Sequence, residues 1–274
     1  MDQRSSDVAD REPGEAKQAL NAEVSWDLFD PAAYIDHNYR FLRSDDAEIL
    51  HLVRDHFSDH FRGGPAVPES KSDGPVRGID VGAGANLYPA LSMLPWCDEI
   101  TLFERSAANV DYLRGQRAHY DPNWDEFWAV LCKEDAYGSL PQDPRRRFAD
   151  VVRVEEGNLF DLDRSPGRWS MGTMFFVAES MSTSYQEFEL GVERFLRALI
   201  PGAPFAAAFM DGSLGYNVGG QDFPACSVTE AEILSALRPF AQEDVAVTSI
   251  GMPGGALRPG YEGMIVACGR RGAD

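Results

Sequence analysis

Basic residues are scarce in this sequence. Lysine and arginine number 25 against 44 aspartates and glutamates, a formal net charge of −19, and a surface this acidic repels phosphate backbones and anionic lipid. The charge therefore speaks against nucleic acid and membrane surfaces as partners. Cysteine is sparse as well: Cys97, Cys132, Cys226 and Cys268 lie far apart with no paired spacing, which suits reduced thiols better than a disulfide framework or a zinc site. His51, His56 and His60 share a helical stretch, but with no cysteine or further ligand cluster beside them they read as surface histidines, and no metal is expected. No run of about 18 apolar residues occurs. The first 23 residues hold six acids, three bases and no apolar stretch, so neither a signal peptide nor a transmembrane helix is expected, and the expected compartment is the cytoplasm.

What the chain does have is a hydrophobic fraction of 44% over 274 residues, enough for one substantial core. Residues 1–23 are polar and unpatterned and are expected to be a disordered tail. From Trp26 apolar residues recur at helical spacing through Leu42 and again from Ile49 to Phe57, which predicts a helical cap or lid over 24–62. A glycine- and proline-rich stretch predicts a linker over 63–75. From 76 to about 270 short apolar runs alternate with helical patterns: strands at Val76–Val81, Glu99–Phe103, Val151–Glu155, Met174–Ala178 and Phe205–Met210, and a final hairpin of Val245–Ile250 with Met264–Cys268. Helices are expected at Asn86–Leu94, Ala107–Gly115, around Trp124–Leu131, at Tyr185–Leu199 before Pro201-Gly202, and at Thr229–Phe240, with a loop over Pro141–Arg147. Insertions that could shape a substrate pocket fall near 116–148 and 211–228. The alternation predicts an α/β fold with a doubly wound, mostly parallel sheet.

The first strand runs into Asp80-Val81-Gly82-Ala83-Gly84-Ala85. Glycines at such a turn let the backbone approach a ligand, and the helix that follows presents amide groups to it. The second strand ends at Glu104, about 20 residues on, where a carboxylate accepts the hydroxyls of an adenosine ribose. A dinucleotide fingerprint needs a third glycine or alanine, and Leu87 stands there. With the acid Asp80 before the turn and a bulky Leu87 after it, a ligand with an ammonium group and no pyrophosphate fits better than NAD. S-adenosylmethionine is such a ligand.

The segment Phe29-Asp30-Pro31-Ala32-Ala33-Tyr34-Ile35-Asp36-His37-Asn38-Tyr39 resembles the N-terminal signature of the nicotinamide, phenylethanolamine and indolethylamine (thioether) N-methyltransferases, which are class I S-adenosylmethionine-dependent methyltransferases. The glycine turn, the strand Ile100–Glu104 and Asn109-Val110-Asp111-Tyr112-Leu113 resemble the same family's next blocks. The resemblance implies a seven-stranded Rossmann-like sheet under a helical lid, with S-adenosylmethionine as cofactor and S-adenosylhomocysteine as product. It implies that Tyr34 and Tyr39 contact the amino-acid part of the cofactor, that Asp80, Gly82 and Gly84 lie under the methionyl portion, and that Glu104 and Asn109 hold the ribose. The adenine-binding acid falls on Asn158, whose amide also pairs with an adenine amino group. For the substrate it implies Asp211, at the end of the fifth strand, and Glu179, with Tyr34 and Tyr216 packing on it. Glu179 has a second reading as an acid at a helix N-terminus.

Methyl transfer from a sulfonium requires alignment and exclusion of water, and Asp211 or Glu179 could orient an amine and take its proton. The expected activity is methylation of a small-molecule amine or nitrogen heteroaromatic in bacterial secondary metabolism, by a monomer or homodimer. Methylation at C3 of an indole-type metabolite stands as an alternative. An NAD-dependent oxidoreductase and a catalytically silent scaffold are the readings from other classes.

Overall fold

Short apolar runs become nine strands among the described residues: β1 (Arg77–Val81), β2 (Glu99–Glu104), β3 (Val152–Glu156), β4 (Met171–Phe175), β5 (Pro204–Asp211), β6 (Tyr216–Val218), β7 (Gln221–Phe223), β8 (Ala246–Ile250) and β9 (Gly263–Arg270). Seven of them form one sheet in the order β3-β2-β1-β4-β5-β9-β8, and β6 and β7 form a separate hairpin. Strands β1 to β5 pair in parallel, while β9 runs antiparallel to both β5 and β8. The expected doubly wound sheet and its closing hairpin are both present. This computed structural model describes residues 19–63, 74–164, 166–251 and 260–273. Most of the tail expected over 1–23 and of the linker expected over 63–75 lies outside them.

The helices are α1 (Pro31–Asn38), α2 (Ser44–Gly63), α3 (Tyr88–Met93), α4 (Ala107–Ala118), α5 (Trp124–Leu131), α6 (Asp135–Gly138), α7 (Pro144–Val151), α8 (Tyr185–Ala198) and α9 (Glu230–Leu237). Local chemistry starts several of them. The Asp30 carboxylate accepts the Ala32 and Ala33 N–H groups ahead of Pro31, and Ser106 and Ser184 cap α4 and α8 in the same way.

Strand alternation divides the core between the two faces of the sheet. On β5, Phe205, Ala207 and Phe209 join Phe188, Phe195 and Ile233 of α8 and α9. Their neighbours Ala206, Ala208 and Met210 join Ile49, Val53 and Phe57 of α2, Leu91 of α3 and Trp124 and Phe127 of α5. Each fully buried large side chain contributes about 1.5–3 kcal/mol relative to exposure. Helix α2, expected as part of a lid, is therefore one layer of the domain, and His56 fixes it to β9 through its Nε2, 3.1 Å from the Gly269 carbonyl oxygen.

Three further expectations are corrected. The sequence predicts a loop over 141–147, but Asp143 accepts the Arg145 and Arg146 N–H groups and Pro144 occupies the first turn, so α7 starts at Pro144. Strand β4 begins and ends three residues earlier than expected, because Phe176 turns the chain with φ of +60°. The last residues of the expected tail are ordered: Ala19 bonds Thr183, and the Asn21 N–H donates to Glu187 Oε2 at 2.8 Å.

Candidate functional site

Open α/β sheets place ligands beyond the carboxyl ends of their strands, and a cleft opens there, at the ends of β1, β2, β3 and β4. It measures about 850 Å³ including the open solvent at its mouth. Its floor is the glycine turn. Gly82 and Gly84 have φ of +63° and +57°, and a Cβ on Gly82 would stand 2.6 Å from Val177 Cγ1. The N–H groups of Gly82 and Ala83 both donate to the Phe103 carbonyl, at 2.7 and 3.2 Å, which ties the turn to β2.

Glu104 lines the cleft at the end of β2. Its Oε2 accepts the Gly84 N–H at 2.8 Å and its Oε1 the Ser106 N–H at 2.7 Å, so one carboxylate bridges the turn and the start of α4. Burial raises its pKa, against the lowering effect of these bonds. Asn109 lies beside it, 3% exposed, with an Oδ1 that has no hydrogen-bond partner among the described residues. Asn158 lines the cleft beyond β3, its Oδ1 accepting the Phe160 N–H at 3.1 Å.

Two covers meet over this floor. From the N-terminal side come Asn21, Trp26, Phe29 and Tyr34, and from the β6–β7 hairpin comes Tyr216. Phe223 of β7 joins them: Trp26 stacks on it at 5.6 Å, Phe29 leans on it at 5.4 Å, and Tyr216 stacks on it at 5.4 Å. Phe175, Phe176, Ser180 and Met181 complete the wall beyond β4. The left-handed backbone at Phe176 is strained for a bulky residue. It places the 176–181 segment along the cleft.

Of the residues expected at the site, Tyr34, Gly82, Gly84, Glu104, Asn109, Asn158 and Tyr216 line one cleft, and Tyr39, Asp80, Glu179 and Asp211 do not. Tyr39 is 3% exposed inside an aromatic cluster with Tyr34, Tyr88, Trp124 and Phe127, and its hydroxyl accepts from Asn86 Nδ2 at 3.3 Å. It backs Tyr34 and does not reach the cleft wall. Asp80 of β1 is buried under the turn, directly opposite Thr173 of β4, whose hydroxyl donates to Oδ1 at 2.8 Å; burial, with Glu104 nearby, pushes its carboxyl up to about 8. Glu179 is fully buried, and its Oε1 accepts the Met210 N–H at 3.0 Å and the Ser180 hydroxyl at 3.2 Å. It ties the 178–180 turn to β5. Asp211 does stand at the end of β5, but with the parity of Phe209, where burial and the carboxylates of Glu262 and Glu230 raise its pKa. Sequence reasoning missed Asn21, Trp26, Asn86, Arg105, Phe176, Ser180 and Met181 as cleft residues, and only Asn86 and Arg105, neighbours of the motifs, carried any local signal.

The sequence profile of the NNMT/PNMT/TEMT family matches residues 17–253. The chain belongs to this family. Comparison with curated protein sequences finds no match. Among solved structures, the fold is similar to an S-adenosylmethionine-dependent methyltransferase from Listeria monocytogenes, at 10% identity over 83% of this chain and 99% of that one with a TM-score of 0.51. It is also similar to one from Methanosarcina mazei, at 12% identity over 77% of this chain and 99% of that one with a TM-score of 0.50. The chain thus has the family and fold of S-adenosylmethionine-dependent methyltransferases, and S-adenosylmethionine is its cofactor. The cleft fits that molecule on its own evidence: a cradle that only glycine backbone can form, a carboxylate at the end of β2, and the unpartnered Asn109 Oδ1 beside it. Among the described residues no group of three or more His, Cys, Asp or Glu could hold a metal ion.

Proposed function

We propose that this protein methylates a small-molecule amine or nitrogen heteroaromatic within the aromatic end of the cleft. The observation that carries the reading is the pair of covers meeting over the glycine turn, which leaves a site bounded by Phe29, Tyr34, Phe175, Phe176 and Tyr216. A cover of this kind admits a small flat molecule and holds off a folded macromolecule.

When bound, the cofactor supplies an electrophilic methyl group on a sulfonium. The chain's own residues do the rest. Glu104 and Asn109 accept the ribose hydroxyls, and the amides and backbone of the 82–84 turn border the amino-acid portion. Tyr34 and Tyr216 set the plane of the acceptor and, with Phe29 and Phe176, keep water from it. Their ring faces favour positive charge, which moves toward the accepting nitrogen as transfer proceeds. Glu179 acts through the backbone: by holding the Met210 N–H it positions Ser180 and Met181 at the wall. Asp211 has no part in the cleft lining, so orientation of the acceptor rests on the aromatic residues.

The test is calorimetric titration with S-adenosylhomocysteine beside NAD, followed by mass-spectrometric screening of primary amines, pyridines and indoles for a methyl gain. Binding of S-adenosylhomocysteine alone, with methyl gain on a nitrogen, is the expected result. No S-adenosylhomocysteine binding, or methyl gain only at C3 of indoles, would overturn it.

A further inference from the structure

Aromatic rings fix the plane of an acceptor but not its direction within that plane. A polar atom has to do that, and the two carboxylates expected there, Glu179 and Asp211, do not line the cleft. Ser180 does line it, and is 5% exposed. Three bonds hold it. Its N–H donates to the Val177 carbonyl at 2.9 Å, its own carbonyl accepts the Tyr216 hydroxyl at 3.3 Å, and its hydroxyl donates to Glu179 Oε1 at 3.2 Å.

The last of these bonds sets the polarity of the serine. Glu179 Oε1 also accepts the Met210 N–H at 3.0 Å, so it is an acceptor to both neighbours and takes the hydroxyl proton of Ser180. A hydroxyl has one proton and two lone pairs. With the proton turned to the buried carboxyl group, Ser180 Oγ has only lone pairs left for a ligand. Other polar side chains of the lining are already bonded within the chain. Asn86 Nδ2 donates to the Tyr39 hydroxyl at 3.3 Å, its Oδ1 accepts the Tyr88 N–H at 3.1 Å, and the Tyr216 proton goes to Ser180.

We infer that Ser180 selects the acceptor: its Oγ accepts a hydrogen bond from an N–H that the substrate carries in its ring plane, and Glu179 positions Ser180 for this by holding the hydroxyl proton. The substrate class is a flat nitrogen compound with a ring N–H or an amino group on the ring. An analogue of the same shape with an ether oxygen or a methyl group in that place leaves the buried serine oxygen unpaired. This rests on the acceptor site given under Proposed function.

The experiment uses two pairs of probes that differ in that donor: tryptamine against 2-(benzofuran-3-yl)ethylamine, and 3-aminopyridine against 3-methylpyridine. Each is titrated calorimetrically into the protein saturated with S-adenosylhomocysteine, for the wild type, Ser180→Ala and Ser180→Cys, with thermal melting of each protein. The cysteine variant nearly keeps the volume and replaces the oxygen by a weak acceptor. The wild type is expected to bind the N–H member of at least one pair about tenfold tighter, and both variants to reduce that ratio to about twofold or less. Affinity for S-adenosylhomocysteine is expected to stay the same in all three. A wild-type ratio near one in every pair that binds, or a ratio kept in both variants, would overturn the inference while the methyltransferase reading stands. A wild type that binds S-adenosylhomocysteine and none of the probes would overturn the acceptor site on which the inference rests, and one that does not bind S-adenosylhomocysteine would overturn the cofactor reading as well.

Discussion

Replacing Asp80 by asparagine exchanges a buried acid that the folded chain holds neutral for a group of the same shape that never ionises. Asp80 is 1% exposed, its Oδ1 takes the Thr173 hydroxyl, and its Oδ2 has no partner among the described residues. Burial raises the carboxyl to about 8, whereas in the unfolded chain it ionises near about 3.9. Folding in the intervening range therefore takes up a proton. The sign follows from linkage: the contribution is whole below about pH 4 and is lost as pH rises toward the folded-state value, by about 1.4 kcal/mol per pH unit and roughly 6 kcal/mol over the full range. Asp46, whose carboxyl burial raises to about 7, adds a gradient of the same sign, but it is present in both proteins and cancels in the difference. Urea unfolding followed by tryptophan fluorescence at pH 5, 6, 7 and 8 should show Asp80→Asn gaining on the wild type steadily and levelling near pH 8. Parallel stability curves would refute the reasoning, since they would mean that the folded chain carries Asp80 ionised.

Gly82→Ala forces an L side chain into a φ of +63° against Val177, and should cost about 2 kcal/mol in urea unfolding and abolish measurable S-adenosylhomocysteine binding. Glu104→Gln leaves either the Gly84 or the Ser106 N–H facing an amide donor, and calorimetry should show S-adenosylhomocysteine weakened at least about tenfold. Glu179→Ala orphans the buried Met210 N–H and should destabilise the fold by about 3 kcal/mol. Asp211→Ala, away from the cleft lining, should leave S-adenosylhomocysteine affinity unchanged in calorimetry.

The parts of the site that were legible in the sequence are those in which geometry is local. Asp80 to Ala85 is a strand running into a glycine turn, and the positive φ angles at Gly82 and Gly84 follow from residues next to one another. Glu104, Ser106 and Asn109 lie within six residues of chain, so the strand end, the cap and the first turn of α4 come as a unit. The Asp143-Pro144 start of α7 carries an equally local signal, a capping acid before a proline, which outweighs the loop-like composition of 141–147. The Asn21–Arg105 contact spans 84 residues, and nothing near either residue announces it.

Sequence alone determined the alternating order of strands and helices, the glycine turn after β1 and the acid at the end of β2, because strand period, turn stereochemistry and capping act over a few residues. Tertiary structure alone decided which side chains face the cleft. The packing of α2 on one face of β5 and of α8 and α9 on the other puts Met210 on the α2 side and leaves Asp211 with the parity of Phe209, and the strained Phe176 turn buries Glu179 under a backbone amide of β5. The meeting of Trp26, Phe29 and Tyr216 on Phe223 joins elements about 190 residues apart. Such contacts depend on how the layers stack on the sheet, and stacking is settled by the packing of the whole core.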